Sequence, residues 1–228
     1  MARLRAVLFD VDGTLLDTRD AWVAAFDAGL AAIRKTSMSG SEAAQWIGTP
    51  IETIYAERCG LAGDELVRAV REFQRVEAES VREGMRAYPR IREALADLSS
   101  WRLAVVTNKR HDTAVEALRV TGLLPFFALV VAGDSVPHKK PAPDPVLQAA
   151  ASLGVPPGDC AVVGDTEADV RAGKAAGARS IGVTWGYGTR ARLEAAGVDY
   201  LIETPDALPP LLRALTPSTA VSGTCIRT

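Results

Sequence analysis

Asp10 and Asp12 stand two residues apart, directly after the apolar run Ala6-Val7-Leu8-Phe9. An apolar run closed by acidic and glycine-containing turn residues reads as a short buried strand. Two like charges at the end of such a strand are costly unless a cation or a shared proton resolves them. Oxygen ligands of this kind suit a hard divalent metal, Mg2+ above all. Gly13 permits a tight turn, and Thr14 adds a hydroxyl where a phosphate could sit. Taken alone, Asp12-Gly13 is also an ordinary turn, so the rest of the chain has to decide.

Three later stretches carry similar chemistry. Thr107-Asn108 follows the apolar run Leu103–Val106, where a hydroxyl and an amide beside a helix N-terminus can bind phosphate oxygens or simply cap the helix. Lys139-Lys140-Pro141-Ala142-Pro143-Asp144-Pro145 places a lysine just before prolines that fix the backbone; an extended run is expected until the next helix starts. Gly164-Asp165-Thr166-Glu167-Ala168-Asp169 puts one carboxylate directly after the run Cys160–Val163 and another one helical turn on. Acids in that first turn, Glu167 above all, also suit a helix N-terminus for purely electrostatic reasons.

The elements that must hold these residues follow from periodicity. Beyond Tyr88-Pro89, strands and helices alternate: helix 91–98, strand 103–106, helix 113–121, strand 128–131, helix 144–153, strand 160–163, helix 167–175, strand 180–183, helix 191–195 and strand 200–202. That order predicts βαβ units and a doubly wound, Rossmann-like parallel sheet, with ligands bound beyond the carboxyl ends of its strands. Between about 19 and 85 the pattern is helical throughout. Segments 21–33, 43–47, 51–58 and 65–83 all show helical spacing, with Thr49 expected as a cap and Pro50 at the first helical position. The expected organisation is an α/β core of residues 1–18 and 86–215, an all-α insert of 19–85, and a frayed tail of 216–228.

The four stretches together resemble the signatures of the haloacid dehalogenase-like (HAD) phosphohydrolases, in order: a DxDGTLxD string from Asp10 to Asp17, Thr107-Asn108, Lys140 with its KPxPxP context, and Gly164-Asp165-Thr166 with Asp169. The resemblance covers nearly the whole chain. It implies that Asp10 is the nucleophile and becomes an aspartyl phosphate. Asp12 would be the general acid/base and would give its backbone carbonyl to Mg2+. Thr107, Asn108 and Thr14 would bind the phosphoryl group, and Lys140 would balance charge on Asp10 and phosphate. Asp165 would join Asp10 and Asp12 at Mg2+, and Asp169 would act behind them through a water or by holding Lys140. The helical insert corresponds to a C1-type cap. The run Gly173–Gly177 and the run Gly182–Gly188 look like the phosphoglycolate phosphatase branch, which implies a small phosphorylated metabolite, 2-phosphoglycolate first. An inorganic pyrophosphatase, a β-phosphoglucomutase-like phosphomutase and a non-catalytic binding module are the alternatives; a dehalogenase is disfavoured by Asp12.

By the same resemblance, 45–50 (Gln45 to Pro50) is the specificity loop, and Arg34, Lys35 or Arg58 could meet a substrate carboxylate, although each is also an ordinary surface charge. Trp101, Trp185 and Tyr187 read as core or hinge packing, and His111 and His138 as bystanders. With 228 residues, 48% of them hydrophobic and 24% charged, the chain has material for a large core, and a net charge of -2 offers no nucleic-acid footprint. Three widely spaced cysteines fit a reducing cytosol better than a disulfide framework. No apolar run reaches the roughly 18–20 residues of a membrane span, and no leader is read at the N-terminus. A cytoplasmic monomer or homodimer is expected.

Overall fold

The structure, a computed structural model, describes residues 4–36 and 38–216; most of the expected tail lies outside them. Its centre is a parallel sheet of six strands, β1 (Ala6–Phe9), β4 (Arg102–Val106), β5 (Leu129–Val131), β6 (Cys160–Gly164), β7 (Arg179–Val183) and β8 (Tyr200–Ile202). Their spatial order is β5-β4-β1-β6-β7-β8. β1 pairs with β4 on one side and β6 on the other, so the chain reverses its direction of growth at β1. This is the switch point at which α/β sheets bind ligands.

The strands are apolar without interruption because both faces of the sheet are covered. Val7 and Phe9 face one layer with Ile91, Leu95, Leu118, Leu208 and Leu212, from helices α5 (Ile91–Ala96), α6 (His111–Val120) and α10 (Leu208–Ala214). Ala6 and Leu8 face the other, with Val146, Ala149, Leu153 and Ala172 from α7 (Asp144–Leu153) and α8 (Glu167–Ala176). The period of two along β1 thus divides the core into two apolar layers.

Between β1 and α5 the chain leaves the sheet. Two short strands, β2 (Leu16–Asp17) and β3 (Arg86–Ala87), pair antiparallel and form the stalk through which it departs and returns. Neither is legible in the sequence, since two residues carry no periodicity. Between them lie α1 (Arg19–Ala32), α2 (Gly40–Ala43), α3 (Ile51–Cys59) and α4 (Gly63–Glu83), with their own apolar cluster. Phe26 stacks on Trp22 at 5.3 Å and on Tyr55 at 5.1 Å, and the buried Tyr55 hydroxyl donates to the Phe26 carbonyl at 2.9 Å. The helix expected at 43–47 is instead α2, opened by a Ser39–Glu42 capping box, followed by a 3-10 turn over Ala44–Trp46. Pro50 itself takes the N-cap place expected for Thr49, so α3 begins one residue later than expected and no side chain caps it. The final α-helices are α9 (Arg190–Ala195) and α10, the latter unread in the sequence.

Candidate active site

Asp10 follows β1, Thr107 follows β4 and Asp165 follows β6, so three neighbouring strands deliver these side chains to one edge of the sheet. All three are buried, at 3%, 1% and 0% exposure, which is unusual for the two carboxylates and marks the place as a built site. Carboxylate oxygens of Asp10, Asp165 and Asp169 lie within 4.8 Å of one another. Burial, then the nearby charges of Asp169 and Asp12, push Asp10 up to about 7 despite the pull of Lys140. Burial, followed by Asp169 and Asp10, also raises Asp165 well above the ordinary carboxylate range. Such a cluster of hard oxygen donors fits a divalent cation such as Mg2+.

Lys140 is the buried counter-charge. Its Nζ is 2.9 Å from Asp10 Oδ1 and 2.6 Å from Asp169 Oδ1, and it donates to the Val106 carbonyl at 2.9 Å. Burial works against this ammonium, but the two carboxylates outweigh it and its pKa is raised. Asp169 in turn accepts the Thr166 backbone N–H and hydroxyl, closing the N-terminus of α8. It therefore grips Lys140 and caps a helix at once. The proline-rich stretch after Lys140 does not run extended: the Ala142 N–H donates to the Lys139 carbonyl at 3.0 Å and folds it into a turn.

Asp165 is fixed from two loops. The Thr14 hydroxyl donates to its Oδ1 at 3.2 Å, and the Tyr187 N–H donates to its Oδ2 at 2.8 Å. Thr14 is completely buried by this contact, so its hydroxyl orients Asp165 instead of opening toward a phosphate. Gly13 has φ +81, and a Cβ there would collide with the Asp165 carboxylate; a Cβ on Gly186 would collide with the Gly13 carbonyl. Trp185 and Tyr187 bond to the segment on either side of β2: the indole N–H donates to the Thr14 carbonyl at 3.0 Å, and the Tyr187 hydroxyl accepts the Thr18 N–H at 2.6 Å.

Asn108 is committed to loop geometry as well. Its side-chain amide donates to the Gly48 and Lys140 carbonyls and accepts the Lys140 N–H. This joins the loop 45–50 of the insert to the lysine that contacts Asp10. Thr107 keeps its hydroxyl proton for another acceptor, because its oxygen only accepts the Lys109 N–H at 3.2 Å.

Asp12 points away from the other carboxylates. Its buried Oδ1 is 3.2 Å from Lys109 Nζ, an ion pair. Lys109 is fully enclosed, and its strongest contact is Glu77 of α4, at 2.5 Å. Burial opposes the Lys109 charge, but Asp12 and Glu77 raise its pKa. Sequence reasoning missed both Lys109 and Glu77: a lysine in the loop after a strand and a glutamate in a helix rich in surface charges carry no local signal.

A pocket of about 50 Å3 opens beside Asp12, lined on the insert side by Trp22, Thr49 and Gln74 and on the core side by Lys109, Arg110 and Lys139. Arg34, Lys35 and Arg58 do not line it. Lys35 is paired with Glu65 at 2.6 Å, and the Arg58 guanidinium lies over Trp46. The histidines are also outside it; His138 sits beside Asp144 at 2.8 Å.

The cluster gives a measurable signature. Folded Asp10 holds a proton that the unfolded chain has lost between the ordinary carboxylate range and about pH 7, and burial shifts Asp165 in the same direction. The folded state binds more protons in that window, so the metal-free protein loses stability as pH rises through it. Mg2+ should therefore raise Tm by roughly 5 °C at pH 7.5 and by much less at pH 5 in differential scanning calorimetry. Equal shifts at both pH values would show that the ion binds elsewhere.

Comparison with known proteins agrees with this architecture. Residues 7–183 match the model of the haloacid dehalogenase-like hydrolase family. The chain is 36% identical over 207 residues to "Pyrophosphatase PpaX" of Bacillus velezensis, covering 88% of this chain and 93% of the relative. It is 32% identical over 217 residues to "Phosphoglycolate phosphatase" of Pectobacterium atrosepticum, covering 92% and 93%. A crystal structure of a predicted phosphatase from Clostridium acetobutylicum superposes with a TM-score of 0.85 at 25% identity, covering 93% of this chain and 100% of that one. The chain belongs to the haloacid dehalogenase-like hydrolases, and it is an enzyme of their phosphatase kind. A non-catalytic binding module is thereby set aside.

Proposed function

We propose that the protein is a Mg2+-dependent phosphatase of small phosphate monoesters, 2-phosphoglycolate first among them, working through an aspartyl phosphate on Asp10. The observation that carries this reading is the contact of Lys140 with Asp10 at 2.9 Å, inside a buried group of three carboxylates. The ammonium keeps Asp10 ionised enough to attack phosphorus and offsets the charge of the arriving phosphate. The Thr107 hydroxyl and Lys140 hold phosphoryl oxygens in line. Asp12 gives its proton to the leaving oxygen as the bond to phosphorus breaks. It then takes a proton from the water that hydrolyses the aspartyl phosphate. Asp10, Asp165 and the Asp12 carbonyl would hold Mg2+, which neutralises charge on the phosphoryl oxygens when bound.

The helical insert acts as a cap that excludes water and reads the leaving group. The pocket beside Asp12 lies between insert and core, where a leaving group would sit. Its rim supplies cations. Lys109 and Lys139 are engaged by insert glutamates, whereas among the described residues Arg110 has only an exposed pairing with Asp112 at 3.4 Å and is the rim cation most available to a substrate anion. Pyrophosphate is the second reading, favoured by the 36% identity to a protein named for that substrate. Cys59 and Cys160 are free, and among the described residues no helix is long and apolar enough to cross a membrane. We place the enzyme in the cytosol as a monomer or homodimer that acts on a free metabolite, with neither nucleic acid nor membrane as partner.

The test is a substrate comparison with Mg2+, setting 2-phosphoglycolate against pyrophosphate, hexose phosphates and nucleotides. A kcat/KM for phosphoglycolate at least tenfold above the others is the expected result, and a higher value for pyrophosphate would replace the first reading with the second. Arg110→Gln should raise KM for the anionic substrate by about tenfold, the weight of one charge-assisted hydrogen bond, with little change in kcat. An unchanged KM would remove Arg110 from the recognition of that anion.

A further inference from the structure

The loop after β7, residues 184–188, carries none of the chemistry above and has neither helix nor strand of its own. Two glycines flank Tyr187 in it, and their backbones lie too close to the site to bear side chains. A Cβ on Gly186 would strike the Gly13 carbonyl, and one on Gly188 would strike the Asp165 carbonyl. The loop is therefore pressed against both the turn after β1 and the carboxylate residue after β6.

Asp165 takes hydrogen bonds from this loop. Its Oδ2 accepts the Tyr187 N–H at 2.8 Å and, more weakly, the Gly188 N–H at 3.4 Å. A main-chain N–H between two glycines has little to fix its direction, because glycine leaves the backbone free to adopt many conformations. Side chains of the loop supply what the glycines do not. The Trp185 indole donates to the Thr14 carbonyl at 3.0 Å. The Tyr187 hydroxyl accepts the Thr18 N–H at 2.6 Å and donates to Asp17 Oδ1 at 3.1 Å. A phenol held both as acceptor and as donor by consecutive residues cannot shift without breaking one of the two bonds. Tyr187 is thus a strut. Its ring is anchored where the chain leaves the core for the insert, and its backbone aims a donor at Asp165.

We propose that Tyr187 is a positioning residue for the metal: its hydroxyl anchors the loop 184–188, and the loop turns the Asp165 carboxylate toward a divalent cation shared with Asp10. Trp185 is the second anchor of the same loop. Groups that orient the ligands of a metal govern its affinity along with the ligands themselves. This rests on the reading of Asp165 as a ligand of Mg2+, and the experiment separates the two.

Mg2+ alone, titrated into the whole chain by isothermal calorimetry well below the melting temperature, reads the site without turnover. Asp165→Asn should abolish measurable binding. Tyr187→Phe keeps the ring and the backbone N–H and removes only the hydroxyl. It should raise Kd for Mg2+ about tenfold, the lower end of what such outer partners contribute. In hydrolysis of p-nitrophenyl phosphate, the Mg2+ concentration that gives half the maximal rate should rise by the same factor, while kcat at saturating Mg2+ falls by about threefold or less. A tyrosine with a merely structural role would lower Tm and kcat and leave Kd where it was. An unchanged Kd in Tyr187→Phe, or a tenfold loss of kcat that saturating Mg2+ does not restore, would overturn the proposal while leaving Asp165 at the metal. Wild-type Kd in Asp165→Asn would overturn both. If Tyr187→Phe does not fold, Trp185→Phe, which takes the indole donor from the same loop, replaces it in the same titration and is judged by the same outcomes.

Discussion

Asp10→Asn is expected to abolish turnover while making the metal-free protein more heat-stable at pH 8. The amide is nearly isosteric with the carboxylate, so the packing after β1 survives. It cannot form an acyl phosphate, and losses on removing a nucleophile run to roughly 10⁴–10⁶ in kcat. The stability gain has a separate cause. Asp10 is 3% exposed and shares its site with Asp165 and Asp169, so at pH 8 the metal-free fold confines three carboxylates against one buried lysine. Removing one charge relieves that crowding. The two readouts are kcat on an alkyl phosphate and Tm without metal. Activity within tenfold of wild type would exclude Asp10 as nucleophile, and a fall in Tm would show that its charge is already fully compensated.

Lys140→Met has the second-largest expected effect, and it is the substitution that costs both stability and activity. Lys140 Nζ touches Asp10, Asp169 and the Val106 carbonyl with 1% of its side chain exposed. Methionine fills the same volume but leaves two carboxylates buried without a cation. Breaking a buried pair from one side costs roughly 3–5 kcal/mol, which in a chain of this size lowers Tm by about 10 °C or more. Activity should drop by about 10³-fold or more, the scale of losing a preorganised charge in an enclosed site. Lys139→Met is the control. Its pairing with Glu52 is solvent-exposed, at 29% and 42%, and such pairs are worth about 0–1 kcal/mol. Similar losses from the two lysines, in thermal melts and in kcat, would refute the different roles assigned to these neighbours.

The loop 45–50 shows how far a resemblance carries. It was expected to read the leaving group, and Thr49 does line the pocket beside Asp12. The same loop is also tied to the core by the Asn108 contact with the Gly48 carbonyl, at 2.8 Å, so a residue expected to bind phosphate also joins insert to sheet. Thr14 moved in the same way, from phosphate to Asp165. In each case the type of group was legible and its partner was not, because a hydroxyl or amide bonds equally well to a ligand or to a neighbouring loop.

By itself the sequence determined the six strands of the parallel sheet, most helices and the carboxylates at the strand ends. These are local signals: an uninterrupted apolar run says that both faces are covered, and an acid directly after it must sit at the strand's carboxyl end. What only the tertiary structure decided are the pairings across long stretches of chain. Lys109 meets Glu77 across 32 positions, and Asp165 meets Thr14 across 151. The stalk of β2 and β3 exists only because the two ends of the insert meet. The physical reason is the same throughout: a charge is surface decoration or half of a buried pair according to what the fold brings opposite it, and desolvation, which separates the two, is a property of the packed molecule and not of the residue.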